Sequence, residues 1–231
     1  MDTDQAKRAA GLQAMQHIRE KMVVGMGTGS TARFFVEALG EAVQQGLRIE
    51  AVATSRETEA LAREWGIPQL SMDQVGIIDV AVDGADEFDP ALTLIKGGGG
   101  ALYREKLIAS LSRELIIVAD PSKQVQTLGT FPLPVEVVPF GVEITRLRLS
   151  TLNAHPKLRH HPDGSLFYTD NGNLILDCHF GRIDRPAALH RELKSYLGVV
   201  ETGLFINMAT RVLLGQRDGS VKEVLPIAEE E

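Results

Sequence analysis

The chain has 231 residues, 44% of them hydrophobic, enough for one large domain, or a main domain with a smaller partner, around a sizeable core. Its formal net charge of −7 and pI near 5.4 argue against a nucleic-acid or anionic-membrane surface, since both need clustered Lys and Arg. Cys178 is the only cysteine, which excludes an intrachain disulfide and a thiolate metal cluster and fits a reducing cytosol. The opening MDTDQAKRAAGLQAM lacks an apolar core of signal-peptide length and no stretch approaches a membrane span, so a soluble cytoplasmic protein is expected.

In chain order, residues 4–20 predict a helix with Ala10, Ala14 and Ile18 on one face. MVVGMG (22–27) suits a buried parallel strand, and 31–46 is helical by period and stops on Gly46. A strand at 49–55 and a helix at 56–66 follow, then a third strand within 77–87. Residues 94–112 lead from a glycine run into a helix, and 114–120 is another buried strand. This rhythm predicts right-handed crossovers and an α/β fold with a doubly wound, mostly parallel, Rossmann-like sheet.

After about residue 130 the rhythm changes. FPLPVEVVP (131–139) is β-rich and bounded by proline, and 166–180 predicts a hairpin turning at Asn171-Gly172. A helix at 185–198 with Pro186 in its first turn precedes a second hairpin, 213–225, turning at Asp218-Gly219. The expected division is a Rossmann-like catalytic domain at 1–130 and a smaller α+β lobe at 131–205, with 206–231 returning to the first domain. No repeat or low-complexity linker interrupts the chain, and Glu229–Glu231 is expected to be a solvated tail.

Ligands of open α/β sheets bind beyond the carboxyl ends of the strands, and three unusual segments are expected there. Gly27-Thr28-Gly29-Ser30-Thr31 joins the first strand to its helix, where glycine backbone and orphan N–H groups favour an anion. It lacks the Walker lysine and the dinucleotide glycine spacing, so a phosphate monoester fits better; the competing reading is an N-cap loop with Ser30 or Thr31 as cap. Asp83-Gly84-Ala85-Asp86-Glu87 crowds acids after an apolar strand, which suits proton transfer or hydrogen bonding to sugar hydroxyls, against a solvated acidic turn. Lys96 and four consecutive glycines lead to Glu105 about one turn into the next helix, fitting backbone that passes close to a substrate.

GMGTGSTA, Thr54-Ser55, VDGADE, IKGGGGAL with REK, DPSKQV, PLPVEV, TDNGN and ETGLF occur in the order found in type A ribose-5-phosphate isomerases, and the chain resembles that family from Lys7 to about Gly219. The resemblance implies interconversion of D-ribose 5-phosphate and D-ribulose 5-phosphate in the non-oxidative pentose phosphate pathway. It also implies no metal or organic cofactor, and a homodimer or homotetramer. Glu105 is similar to the family's general base, moving a proton between C1 and C2 through an ene-diolate, with Lys96, Asp83 and Asp86 as further catalytic groups. Thr28, Gly29, Ser30 and Thr31, Asp83, Gly84, Ala85 and Asp86, Lys96, Gly97, Gly98 and Gly99, and Lys123 match its substrate-contacting segments; Lys7 matches a basic residue near the phosphate. Thr210-Arg211 departs from the Ala-Asp common in the family, and Pro121 alters the approach to Lys123.

Other residues are not assigned a role. His160-His161 are expected to be solvated, and His17, His155, His179 and His190 show no ligand spacing. Cys178 is expected to be a buried thiol, Trp65 to pack, and at least one of Phe34 and Phe35 to enter the core. The alternatives are a related sugar-phosphate enzyme, such as an amino-sugar-phosphate deaminase, and a non-catalytic sugar-phosphate sensor. KGGGGA with REK fits the first poorly, and the first helix starts too early to leave room for the sensor's DNA-binding element.

Overall fold

The computed structural model describes residues 2–227, so the expected tail at Glu229–Glu231 lies outside the described residues. Helix α1 (Asp2–Ala14) ends earlier than its sequence period suggests and tightens into a single 3-10 turn, Met15–His17. The change lets Ile18 turn extended and bury beside Ala10 and Ala14. Strand β1 (Val23–Met26), helix α2 (Ala32–Gln44), strand β2 (Glu50–Ala53) and helix α3 (Arg56–Glu64) follow in alternation. Ser55 caps α3 by accepting from the Thr58 amide, at 3.1 Å. Strand β3 (Ile78–Asp83) pairs parallel with β1, as β2 does from the other side.

The chain then leaves this sheet for two short strands, β4 (Glu87–Phe88) and β5 (Leu94–Ile95). Helix α4 (Leu102–Leu111) leads back into β6 (Ser112–Ala119), parallel to β3. Next come β7 (Leu133–Val137), α5 (Val142–Ser150), β8 (Pro156–Leu158), β9 (Leu174–Cys178), α6 (Pro186–Ser195), β10 (Val199–Thr202) and β11 (Leu204–Phe205). Strands β12 (Arg211–Gly215) and β13 (Val221–Val224) close the described chain as an antiparallel hairpin, as its Asp218-Gly219 turn predicts.

The main sheet has the order β13-β12-β6-β3-β1-β2 and is parallel except for β13. It separates two cores. Val80, Val82, Ile116 and Val118 face α1 and α2, while Ala81, Leu115 and Ile117 face Ile108 and Ala109 of α4. A second sheet, β10-β7-β9-β8, packs with α5 and α6 around Leu133, Val135, Leu176 and Leu193. A third, β11-β5-β4, is antiparallel.

The expected hairpin at 166–180 is half right. The turn is present, with Gly172 donating to Thr169 O at 2.9 Å, but its first arm is not a strand and β9 pairs with β7 and β8 instead. Glu136, fully buried on β7, explains the difference: its Oε1 accepts from Thr169 Oγ1, Asn171 Nδ2 and Asn173 Nδ2 at 3.0, 3.3 and 2.9 Å. Bonding that one oxygen curls the TDNGN segment inward.

Candidate active site

The loops after β1 and β3 meet where the strand order reverses, the place at which open α/β sheets take ligands. Gly27 makes this meeting possible, because a side chain there would collide with the Asp83 carboxylate. The Thr28 amide donates to Asp83 Oδ1 at 3.1 Å, and the Gly84 amide does so at 2.7 Å. Thr28 Oγ1 lies 2.7 Å from Thr54 Oγ1 and 2.8 Å from Ser55 Oγ, so the Thr54-Ser55 pair shapes the first loop from below. Thr31 is the N-cap residue of α2 but makes no side-chain capping bond, and Ser30 Oγ accepts instead from Lys7 Nζ at 3.0 Å. The cap side chain therefore offers no acceptor to the first turn of α2, where the Arg33 and Phe34 amides donate to Gly29 O and Thr31 O at 3.0 and 3.2 Å, and a lysine stands at the edge of the Gly29–Thr31 loop.

The third segment arrives differently from the expectation. Lys96-Gly100 follows β5 of the three-stranded sheet rather than a strand of the main sheet, and the Lys96 amide donates to Gly203 O at 2.9 Å. Gly203 can bring its backbone against Lys96 only because it lacks a side chain. The Lys96 chain then runs across the Phe205 ring, 5.4 Å from its centroid.

At the centre is a buried triad of charge. Lys96 Nζ lies 2.9 Å from Asp83 Oδ2, 3.5 Å from Glu105 Oε2 and 2.6 Å from Gly84 O. The three residues are at most 5% exposed. One cation cannot neutralise two carboxylates, and the better-solvated one keeps its charge more easily. Asp83 has two amides and the nearer ammonium, although burial still raises its pKa above the ordinary carboxylate value. Glu105 has only the longer contact. Burial pushes its carboxyl up to about 8, with the Lys96 ammonium opposing and Asp83 and Asp86 adding to the rise. Burial works against the Lys96 charge, but Asp83 and Glu105 more than offset it and hold the ammonium above its ordinary range.

Of the residues singled out from sequence, Thr28, Gly29, Ser30, Thr31, Gly84, Ala85, Asp86, Lys96, Gly97, Gly98, Gly99, Glu105 and Lys123 line one cavity of about 110 Å³. Asp83 lies beneath its floor and Lys7 touches it through Ser30. Asp86 is partly exposed, and one of its oxygens accepts from the Gly98 amide at 2.7 Å.

A family model for ribose 5-phosphate isomerase A (phosphoriboisomerase A) matches residues 50–219. The chain belongs to this family. It is 50% identical over 218 residues to ribose-5-phosphate isomerase A of Bacillus mycoides, covering 94% of this chain and 98% of the relative. It is similar to a solved D-ribose-5-phosphate isomerase in complex with phospho-erythronic acid, at a TM-score of 0.94 and 41% identity over 97% of this chain and all (100%) of that one. Ribose 5 phosphate isomerase A from Neisseria gonorrhoeae matches at a TM-score of 0.91 and 38% identity, covering 97% and 98% of the two chains.

Several parts of this isomerase-family site escape a reading of residues one segment at a time. Glu87, third acid of the VDGADE run, turns away and receives the Gly129 and Phe131 amides at 2.8 and 2.6 Å. Thr210 and Arg211 face away from the cleft too. Thr210 donates to Leu115 O at 2.9 Å, and Arg211 pairs with Glu114 and Glu223 at 3.2 and 2.7 Å, stitching β12 to its neighbours. His160 and His161 are exposed, Phe35 is in the core, and Trp65 packs against Gly40. Cys178 is buried in β9, which pushes its thiol pKa up and keeps the thiolate from forming. No helix among the described residues is long and apolar enough to cross a membrane.

Proposed function

We propose that the chain interconverts D-ribose 5-phosphate and D-ribulose 5-phosphate, with Glu105 as the base. The observation that carries this reading is a buried carboxylate with a raised pKa 3.5 Å from a buried ammonium, both on the wall of one small cleft. The sugar phosphate sits on the amides of the Gly29–Thr31 loop that opens α2, with Lys7 adding charge at the rim. In the open-chain aldose, Glu105 takes the C2 proton and returns it to C1, while one hydroxyl proton passes from O2 to O1. Lys96 and the glycine amides hold the negative charge of the ene-diolate between these steps.

The two aspartates divide the work. Asp83 spends both oxygens on the Thr28 and Gly84 amides and on Lys96, so it orients the cation. Asp86 faces the cleft and is the carboxylate that meets sugar hydroxyls and assists ring opening. Lys123 faces the same cleft as a further contact to substrate. Lys96 supplies the electrophile, so the reading needs no metal or organic cofactor.

The same reading places the enzyme in the cytoplasm, in the non-oxidative pentose phosphate pathway, with residues 1–130 and 206–231 as catalytic domain and 131–205 as the smaller lobe. Phe140, 95% exposed, and Leu197, 84% exposed, support self-association as a homodimer or homotetramer. Light scattering that finds only a 25.2 kDa particle would remove that part. The activity is tested by incubating ribose 5-phosphate with the protein and EDTA in deuterium oxide. Ribulose 5-phosphate carrying deuterium at C1 is the expected product, and bound but unconverted substrate would leave a sensor instead.

A further inference from the structure

Four glycines in a row give the Lys96–Gly100 loop little steric preference for how its peptide planes face; one turn is closed within it, Gly100 N to Gly97 O at 2.9 Å, and the rest is set by groups outside the loop. Arg159, on the smaller lobe just after β8, is in place to do so. Its Nη1 donates to Gly97 O at 2.9 Å and to Gly98 O at 3.1 Å. The guanidinium is itself held: Nε and Nη2 take both oxygens of Asp177 on β9, with the Nε bond at 2.9 Å, and its carbon lies 5.6 Å from the Phe167 ring centroid. Phe167 in turn occupies the space that a side chain at Gly100 would need. The Arg159 backbone is pinned as well, donating to Ile175 O and accepting from the Phe167 amide at 2.9 and 3.1 Å.

Every peptide bond described is trans, so each N–H points opposite to the carbonyl of its own plane. The Gly97–Gly98 plane obeys this visibly, with its carbonyl on Arg159 and its N–H on Asp86. The next plane has its carbonyl on the same guanidinium nitrogen, so the Gly99 N–H points away from Arg159, and Gly99 lines the cleft. We infer that Arg159 is a positioning residue for the isomerisation: from the smaller lobe it fixes two successive peptide planes so that the Gly99 amide faces the charge developing on the sugar oxygens. This rests on the isomerase reading, and it gives the smaller lobe a part in catalysis without a side chain in the cleft.

The test compares wild type with Arg159→Met, Arg159→Met/Asp177→Asn and Arg159→Lys. For each, kcat and KM for ribose 5-phosphate, the Kd of phospho-erythronic acid by calorimetry, and the thermal midpoint are measured. The double variant removes the carboxylate that the single one strands, separating misfolding from misaiming. Both Met variants should lose kcat by about 10- to 100-fold, the scale of a group misplaced by an ångström, with KM changing less than about threefold. They should also bind the sugar acid, whose carboxylate carries anionic charge, more weakly. Lysine keeps the charge but not the planar fork, so it should recover only part of kcat. A kcat within about twofold of wild type in the double variant, whatever the midpoint does, overturns the inference, as does a rise in KM alone. A wild type that turns nothing over removes the isomerase reading and this inference with it; normal wild-type turnover with unaffected variants removes only the inference.

Discussion

The Lys96 ammonium stands 3.5 Å from the Glu105 carboxylate and forms no hydrogen bond with it, because Gly84 O and Asp83 draw the nitrogen to the other side. A charge-assisted bond at about 2.8 Å would have locked Glu105 as a permanent anion. The longer spacing leaves its Oε2 buried and unsatisfied, a costly state that favours the protonated acid and makes the carboxylate, once formed, an eager base.

Glu105→Gln should reduce turnover of ribose 5-phosphate by about 10²–10⁴-fold with little change in fold, as removing a general base does. In the wild type, kcat/KM should climb with pH on an acid limb well above 4.5 and approaching 8, since Glu105 can act as the proposed base only when deprotonated. The substrate phosphate titrates near about 6 and is separable by its persistence in slow variants. An acid limb centred near the ordinary carboxylate value would contradict the burial of this group.

The same substitution should stabilise the protein on the alkaline side. The folded-state pKa of Glu105 is raised, so its favourable neutral form is fully present below about 4.5 and is lost as pH rises through about 8. Glutamine never ionises. The difference in thermal midpoint between Glu105→Gln and wild type should therefore grow between pH 5 and pH 9, at about 2–4 °C per kcal/mol for a chain of this size. A difference that stays flat across that range would count against it.

Lys96→Met removes the cation and leaves the buried carboxylates of Asp83 and Glu105 without it. Stranding a buried charge in this way costs about 3–5 kcal/mol. Protonation relieves it, so chemical denaturation should show a smaller loss at pH 5 than at pH 8, together with abolished turnover at both. Equal losses at the two pH values would mean that the carboxylates are not coupled through Lys96.

Lys7→Met tests the rim. Its amine touches Ser30 beside the α2 amides, outside the reacting centre, so KM should rise about tenfold while kcat stays within about twofold. Added salt should narrow the gap between variant and wild type, because a partly exposed charge is screened. A collapse of kcat with unchanged KM would instead place Lys7 at the chemistry.

Element order and the chemical segments were legible in the chain because they are written locally. A strand–helix alternation needs only a window of residues with the right period, and runs such as GTGS and KGGGG announce backbone that must turn or approach a ligand. The segments around Glu105, Asp86 and Gly29 were all recognisable, and they share one cavity. The errors came from partners far along the chain. Helix α1 stops early to let Ile18 reach a core assembled from β1, β3 and β6, and the arm at 166–170 follows the needs of Glu136 on another strand.

By itself, then, the sequence determined which residue types gather at the loops, the α/β class, and the family the chain belongs to. Only the tertiary structure decided that Glu87 leaves the acid cluster, that Asp83 holds Lys96 while Asp86 faces the cleft, and that the glycine loop is fastened by Arg159 from 61 or 62 residues away. It also set the proton affinity of Glu105. Period and turn chemistry are properties of neighbours in sequence, whereas desolvation and charge pairing are sums over everything that surrounds a group in space.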